Sequence, residues 1–313
     1  MENHNYAVIG LGKFGQKRVK SLTNSTNEMN LQAVYDNDKN QAAANIENLK
    51  SFNEVLDKDE IKNIILSTPN NTHYDYLKAL IIGEKNILCE KPLCTNKDEI
   101  LKIKRLLESY PKANLQMGSN LSYFPALMKM KELLTQNYIG ELEEITSSIG
   151  HNGDYTKEGW HSNKSLSGGG CLIDNGIHLL TYFHSFLTDL NLVESHLQYD
   201  DSEVEVDASI QLTSKECKRI KLHSSWRKNQ GYCEIQVIGA RGILKVNALE
   251  DQVILIRQGS QEVIECAPSE PSIEKELKLF NERIITGEKL YPAIDDIEKI
   301  SEIIFAVYDS SEN

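Results

Sequence analysis

What this chain lacks narrows it first. No apolar run in its 313 residues approaches the roughly 20 needed for a membrane-spanning helix. Its start, Met1-Glu-Asn-His-Asn5, has neither the basic segment nor the apolar core of a secretory signal. No membrane is therefore expected, and the expected location is the cytoplasm. The six cysteines, Cys89, Cys94, Cys171, Cys217, Cys233 and Cys266, form no C-x-x-C pair and do not sit with histidines at zinc spacing. They read as free thiols in a reducing compartment, with no metal site. Positive charge is in deficit, with 34 Lys and Arg against 46 Asp and Glu, for a net charge of −12 and a pI of about 5.2. Binding a phosphate backbone needs a positive field, so nucleic acid is not the main partner. There is no internal repeat, low-complexity tract or disordered linker. What remains, with 40% hydrophobic and 26% charged residues, is ordinary globular composition. The length suits two domains, with a core that needs no covalent staples.

Tyr6-Ala-Val-Ile9 reads as a short buried strand. It runs into Gly10-Leu-Gly12-Lys13-Phe14-Gly15 and then a helical pattern to about Leu22. In G-x-G-x-x-G between strand and helix, the first glycine permits the tight turn. The second lets the backbone approach a pyrophosphate, and the third allows close helix–strand packing. A second strand, 31–35, ends at Asp36, about 20 residues beyond the last glycine. An acid there accepts from a ribose 2′-OH and repels a 2′-phosphate, which favours NAD over NADP. Strand and helix signals keep alternating: strand 61–66, helix 72–83, strand 86–89, a Thr95-to-Asp98 capping pattern opening a helix to about Glu108, strand 114–117. This is the signature of a parallel sheet with helices on both faces. Such sheets bind ligands at the carboxyl ends of their strands. Thr68, Pro69, Asn70 and His73 follow one strand, and Glu90-Lys91-Pro92 follows another, so both loops are expected to face the cofactor. A lysine is ordinarily a solvated surface residue. The place of Lys91 at a strand end before a proline makes it a site candidate, and an X-Pro bond at such a place can be cis.

Beyond residue 120 come a helix carrying Leu127, Met130, Leu133 and Leu134, a strand over 141–149, and a polar loop over 151–166 with Asp154, Tyr155, Trp160, His161 and Lys164. Loops of that length are commonly functional. Next is Ser167-Gly-Gly-Gly-Cys-Leu-Ile-Asp174-Asn-Gly-Ile-His178, with a helix continuing to about Leu187. Asp174 and His178, four apart, share a helical face. By itself the pattern fits a phosphate cradle, a hinge or a satisfied core histidine. Because Gly10–Gly15 already serves the pyrophosphate, the three glycines are expected to let the loop pass close to nicotinamide and substrate. The helix would then present Asp174 and His178. Strands are expected over 204–212, 217–225, 233–238, 242–246, 253–257 and 262–265, with a turn at Gly239-Ala-Arg-Gly242. Helices over 273–286 and 294–307 close the chain. Adjacent strands without intervening helices imply an antiparallel sheet, covered by helices on one face. If its other face is apolar, a second subunit should cover it.

These motifs resemble the glucose–fructose oxidoreductase / inositol dehydrogenase (Gfo/Idh/MocA) family along essentially the whole chain. The resemblance implies an α/β N-terminal Rossmann domain (1–119) and an α+β C-terminal domain (120–313) with a large, mostly antiparallel open sheet. The last helix is free to pack back on the first domain. It implies an NAD-dependent oxidoreductase moving hydride between nicotinamide and a secondary alcohol or ketone of a sugar, inositol or nucleotide-sugar. A homodimer or homotetramer would form through the sheet. Lys91 matches the family's catalytic lysine, His178 its catalytic histidine and Asp174 its substrate-binding acid. Gly10, Gly12, Lys13, Phe14, Gly15, Asp36, Thr68, Pro69, Asn70, His73 and Glu90 are the expected cofactor contacts. Asn120, Tyr155, Trp160 and Lys164 are the expected substrate contacts. Two departures bear on the substrate: Ser122 and His161 stand where the family often has arginine. The alternatives are a non-catalytic NAD-binding sensor on the same fold, or a reductase of a non-sugar substrate.

Overall fold

The computed structural model describes residues 4–25, 29–154, 156 and 159–311. Contacts divide the chain into two compact units. One holds the residues up to Ser119 together with Ile273–Glu298, the other Asn120–Ser272 and the residues from Lys299 onward.

The first unit contains β1 (His4–Ile9), α1 (Lys13–Asn24), β2 (Met29–Tyr35), β3 (Glu47–Asn48), α2 (Phe52–Asp57), β4 (Asn63–Leu66), α3 (His73–Ile82), β5 (Asn86–Cys89), α4 (Lys97–Ser109) and β6 (Asn114–Met117). The strands lie in the order β3-β2-β1-β4-β5-β6, all pairs parallel. The chain travels outward from β1 to β3 and then crosses back to β4. Parallel strands feeding both sides of β1 leave a crevice at their carboxyl ends, which is where such sheets take ligands. The opposite ends of β4, β5 and β6 are tied by an asparagine ladder. Asn86 Nδ2 donates to Asn63 Oδ1 and Asn114 Nδ2 to Asn86 Oδ1, each at 2.9 Å.

Local chemistry accounts for most of these boundaries. Helix α4 opens one residue later than the Thr95–Asp98 pattern implies. Asn96 Oδ1 accepts the Glu99 N–H at 3.0 Å, and the Glu99 carboxylate reaches back to the Thr95 N–H at 3.3 Å. The longer acid at the third helical position closes the capping box that Asp98 does not. Helix α2 was not anticipated, although Ser51 and Glu54 carry the same signal: the Ser51 side chain accepts from the Glu54 N–H.

The second unit contains α5 (Pro125–Thr135), β7 (Leu142–Gly150), α6 (Lys164–Ser167), a π-helical turn over Leu172–Gly176 running into α7 (Ile177–His184), and β8 (Asn191–Tyr199), β9 (Glu205–Thr213), β10 (Ile220–Ser225), β11 (Tyr232–Gly239), β12 (Gly242–Asn247), β13 (Gln252–Arg257) and β14 (Ser260–Glu265). Helices α8 (Ser272–Thr286) and α9 (Ile294–Ser311) follow. The eight strands run β14-β13-β12-β11-β7-β10-β9-β8. Neighbours are antiparallel except β7 and β10, which are parallel with Gly150 opposite Ser225. Edge strand β8 escapes a pattern reading because its residues are exposed or only half-buried, so it has no apolar alternation to show.

One face of this sheet is apolar and buried, through Ile145, Leu212, Ile220 and Val237. Their neighbours along the strands, Thr146, Gln211, Lys221 and Gln236, sit side by side on the other face. That face is polar over its middle, and half-buried isoleucines (Ile238, Ile243, Ile256) gather toward β13. The segment Ile273–Glu298, which the linear reading gives to the second domain, supplies Leu277, Phe280 and Leu290 to the core of the first, beside Tyr6, Val8 and Val34. An amphipathic helix shows that it has an apolar face, but not which sheet will cover it.

Candidate functional site

The dinucleotide crevice of the first unit is built from the glycine loop upward. Gly10 has φ +89°, and a Cβ there would stand 2.5 Å from the Ser67 carbonyl oxygen; one on Gly15 would stand 1.9 Å from the Gly10 oxygen. Protein packing therefore demands both glycines. Gly12 is different: a Cβ there would meet nothing within 4 Å. Its lack of a side chain leaves open space at the start of α1, whose N-terminus no side chain caps. Unfilled N–H groups at a helix start attract anions, and Gly12 leaves room for one to approach the backbone. Lys13 is exposed and Phe14 half-buried in the first turn. The Asp36 carboxylate holds the loop through the Leu11 N–H at 2.6 Å and the Asp38 N–H at 2.8 Å. A carboxylate has about four acceptor positions, so capacity remains for ribose hydroxyls. These residues fit a bound dinucleotide.

Two expected cofactor contacts turn inward instead. His73 is fully buried, and its ring nitrogens lie 2.9 Å from the Pro92 and Thr68 carbonyl oxygens. Burial pushes its pKa down, against the pull of those carbonyls. It braces the loop after β4 against the loop after β5, leaving no ring nitrogen for a ligand. Glu90 is held by Arg18, with Arg18 Nε 2.7 Å from Glu90 Oε1. The same buried guanidinium pairs with Glu276, which also accepts the Ser119 N–H. Arg18 therefore ties the strand end that carries Lys91 to α1 and α8. Lys91 itself is half-buried, and the Lys91-Pro92 bond is cis. Thr68 is half-buried, Pro69 exposed and Asn70 buried.

In the second unit, Asp174 lies in the π-helical turn and His178 in the first turn of α7. From 171 to 183 every residue is buried except these two. Asp174 Oδ2 accepts from the Trp226 indole N–H at 3.2 Å and lies 3.5 Å from His151 Nε2. His151 Nδ1 accepts the Gly153 N–H at 2.9 Å, which leaves the proton on Nε2, facing Asp174. The histidine also stacks on Trp226 at 6.1 Å between ring centroids. Sequence reasoning missed His151 and Trp226. They follow the last residues of β7 and β10, and the parallel pairing of those strands brings both loops to one edge.

Packing within the second unit accounts for the three glycines. Gly168 ends α6 in the left-handed conformation. A Cβ on Gly169 would stand 2.2 Å from the Tyr308 hydroxyl, and one on Gly170 would stand 1.9 Å from the Glu205 carbonyl. The Glu205 carboxylate accepts the Gly170 and Leu172 N–H groups at 2.8 and 2.9 Å and the Tyr308 hydroxyl at 3.0 Å. The glycines let this loop press onto Glu205 and Tyr308, which fixes the entry to the turn bearing Asp174. Burial pushes the Glu205 carboxyl up, opposed by those donors.

Of the expected substrate contacts, Asn120 donates to Ser272 Oγ at 3.1 Å. Trp160 stacks on His161 at 3.8 Å, and Lys164 is exposed at the start of α6. Tyr155 lies outside the described residues. Among the described residues no His, Cys, Asp and Glu cluster is arranged for a metal ion, and no helix is long and apolar enough to cross a membrane.

A family model described as "Oxidoreductase family, NAD-binding Rossmann fold" matches residues 4–119, and one for the GFO/IDH/MocA C-terminal domain matches residues 127–245. An uncharacterized oxidoreductase of Streptococcus pneumoniae is 22% identical over 91% of this chain and 80% of its own length. Inositol 2-dehydrogenase 2 of Saccharopolyspora erythraea is 27% identical over 44% of this chain; the match spans 42% of that enzyme, less than half its length. Levoglucosan dehydrogenase in complex with NADH and L-sorbose is similar in fold, with a TM-score of 0.89 at 17% identity over 100% of this chain and 97% of that one.

Proposed function

Because the chain belongs to the Gfo/Idh/MocA oxidoreductase family, whose first domain is an NAD-binding Rossmann fold, we propose that it is an NAD-dependent dehydrogenase interconverting a secondary alcohol and ketone on a sugar or inositol ring. The observation that carries this reading is the run 171–183, buried throughout except at Asp174 and His178. An acid and a base kept accessible on an otherwise buried helix suit proton handling on a bound hydroxyl. The inositol dehydrogenase relative and the sugar-bound structural neighbour point to the same substrate class.

When bound, NAD supplies the hydride acceptor and NADH the donor. His178 takes the hydroxyl proton, since an imidazole titrates near working pH. Lys91, as an ammonium, stabilises the developing alkoxide charge. Asp174, oriented by the Trp226 indole, accepts a hydrogen bond from a neighbouring hydroxyl. The first-turn N–H groups of α1 and the space over Gly12 hold the pyrophosphate, with Thr68, Pro69 and Asn70 alongside, and Asp36 holds the ribose. Asn120, Tyr155, Trp160 and Lys164 contact the sugar. Copies associate through the open face of the second sheet, using the isoleucines toward β13.

Lys91→Ala and His178→Ala test the reading. Each should lower turnover of a sugar or inositol by about 100-fold or more while NADH affinity stays unchanged. Near-full rates in both would refute the assignment.

A further inference from the structure

The second unit holds a cavity of about 470 Å³, within the size range of small-molecule sites. It lies at the mouth of β7 and β10, where their outgoing loops meet the segment leading into β9. Its lining includes Asn152, Asp154, Asp200, Trp226, Arg227 and Lys228. It adjoins the reacting groups through Trp226, whose indole N–H donates to Asp174 Oδ2 at 3.2 Å. Trp226 is thus shared between this cavity and Asp174.

The chemistry of the lining narrows the occupant. Asp154 and Asp200 against Arg227 and Lys228 make two negative and two positive charges, so the formal sum is zero. Arg227 is already engaged: Nη1 donates to Gln198 Oε1 at 3.0 Å, and Nη2 lies 3.5 Å from the Tyr199 carbonyl oxygen. A phosphate or carboxylate entering here would meet two carboxylates as well as an arginine with two of its five N–H donors engaged. Asn152 Nδ2 donates to the Asp154 carboxylate and Asn152 Oδ1 accepts the Asp154 N–H, while Asp200 accepts the Ser202 N–H. Each carboxylate has about four acceptor positions, so a neutral ring bearing hydroxyls still meets acceptors there and a donor in Lys228. Trp226, almost wholly buried, contributes only an apolar edge to the lining.

We propose that this cavity holds an uncharged, hydroxyl-bearing second ring of the substrate. The preferred substrate is then a glycoside of at least two rings, and not a free monosaccharide or a nucleoside-diphosphate sugar. This rests on the dehydrogenase reading above and deepens it.

The test is turnover with NAD of D-glucose, myo-inositol, maltose, cellobiose, lactose, trehalose and UDP-glucose by the wild-type chain, followed by Asp200→Ala and Lys228→Ala. Both positions line an open cavity away from the core, and thermal melts with the milder Asp200→Asn check that folding is intact. At least one disaccharide should show the highest kcat/KM. Either alanine variant should raise its KM about tenfold, with kcat and the KM of any single-ring substrate unchanged, as expected for binding lost equally from ground and transition states. Single rings turned over as well as any disaccharide, best turnover of UDP-glucose, or variants that leave the disaccharide KM unchanged would each overturn the cavity assignment alone. If the protein binds NADH but turns over no sugar of any size, the dehydrogenase reading falls and the cavity assignment falls with it.

Discussion

Replacing Gly12 and Gly15 separately by alanine distinguishes a glycine kept for the ligand from one kept for the fold. At Gly12 the backbone has φ −62° and ψ −174°, open to any residue, and the new methyl would touch no protein atom within 4 Å. Alanine loses less unfolded-state entropy than glycine, a gain of about 0.4–1 kcal/mol. The N-cap preference for glycine over alanine opposes it by a similar amount. Stability should therefore change by less than about 1 kcal/mol. The methyl instead occupies the approach to the first-turn N–H groups. Losing one charge-assisted hydrogen bond to phosphate costs about 1.5–3 kcal/mol, so the Kd for NADH should rise about 10- to 150-fold. Gly15→Ala places its methyl 1.9 Å from the Gly10 carbonyl oxygen, an overlap of backbone with backbone that no rotamer relieves. About 3 kcal/mol or more should be lost, at roughly 2–4 °C of Tm per kcal/mol. Circular-dichroism melts and calorimetric titration with NADH measure both quantities. A Gly12→Ala variant that binds NADH within about twofold of wild type, or melts as early as Gly15→Ala, would rule out a ligand-specific role for Gly12.

Two further outcomes follow from burial. Glu276 has its carboxyl pushed up from the ordinary 4.5 by burial, opposed by Arg18 and the Ser119 N–H. The folded state therefore binds this proton more tightly than the unfolded state, and the contribution is lost as pH rises above about 4.5. Glu276→Gln, neutral throughout, should flatten that part of a Tm-against-pH profile; an unchanged slope contradicts it. Burial pushes all six thiols up, Cys233 to about 12, but Cys266 is only partly covered while the other five are buried. An aromatic disulfide reagent at mildly alkaline pH should titrate one thiol quickly and all six only after unfolding. Two or more fast thiols would count against this core.

The parts of the molecule legible in the sequence are those where backbone geometry leaves little choice. The glycine loop, its following helix and Asp36 are local, and each has one physical reason. So do the strands β5 and β6, whose bounds agree with the pattern, and the shared face of Asp174 and His178. What escaped is nonlocal. Trp226 is 52 positions from Asp174 and His151 is 23; they meet because β7 and β10 pair in parallel inside an otherwise antiparallel sheet. The inward turn of His73 and Glu90 depends on Pro92, Arg18 and Glu276, and a residue type at a strand end does not reveal such partners. Gly168 to Gly170 were legible as special, but the groups that demand small residues at Gly169 and Gly170, Tyr308 and Glu205, come much later in the chain.

Hydride transfer between a sugar or inositol and the nicotinamide is open to an isotope-transfer experiment. A substrate carrying deuterium on the carbon to be oxidised is incubated with NAD and the protein, and the NADH formed is examined by proton NMR. One deuterium is expected at C4 of the nicotinamide, with product formation lost in His178→Ala. NADH that carries no label, or no NADH from any sugar or inositol offered, would contradict it.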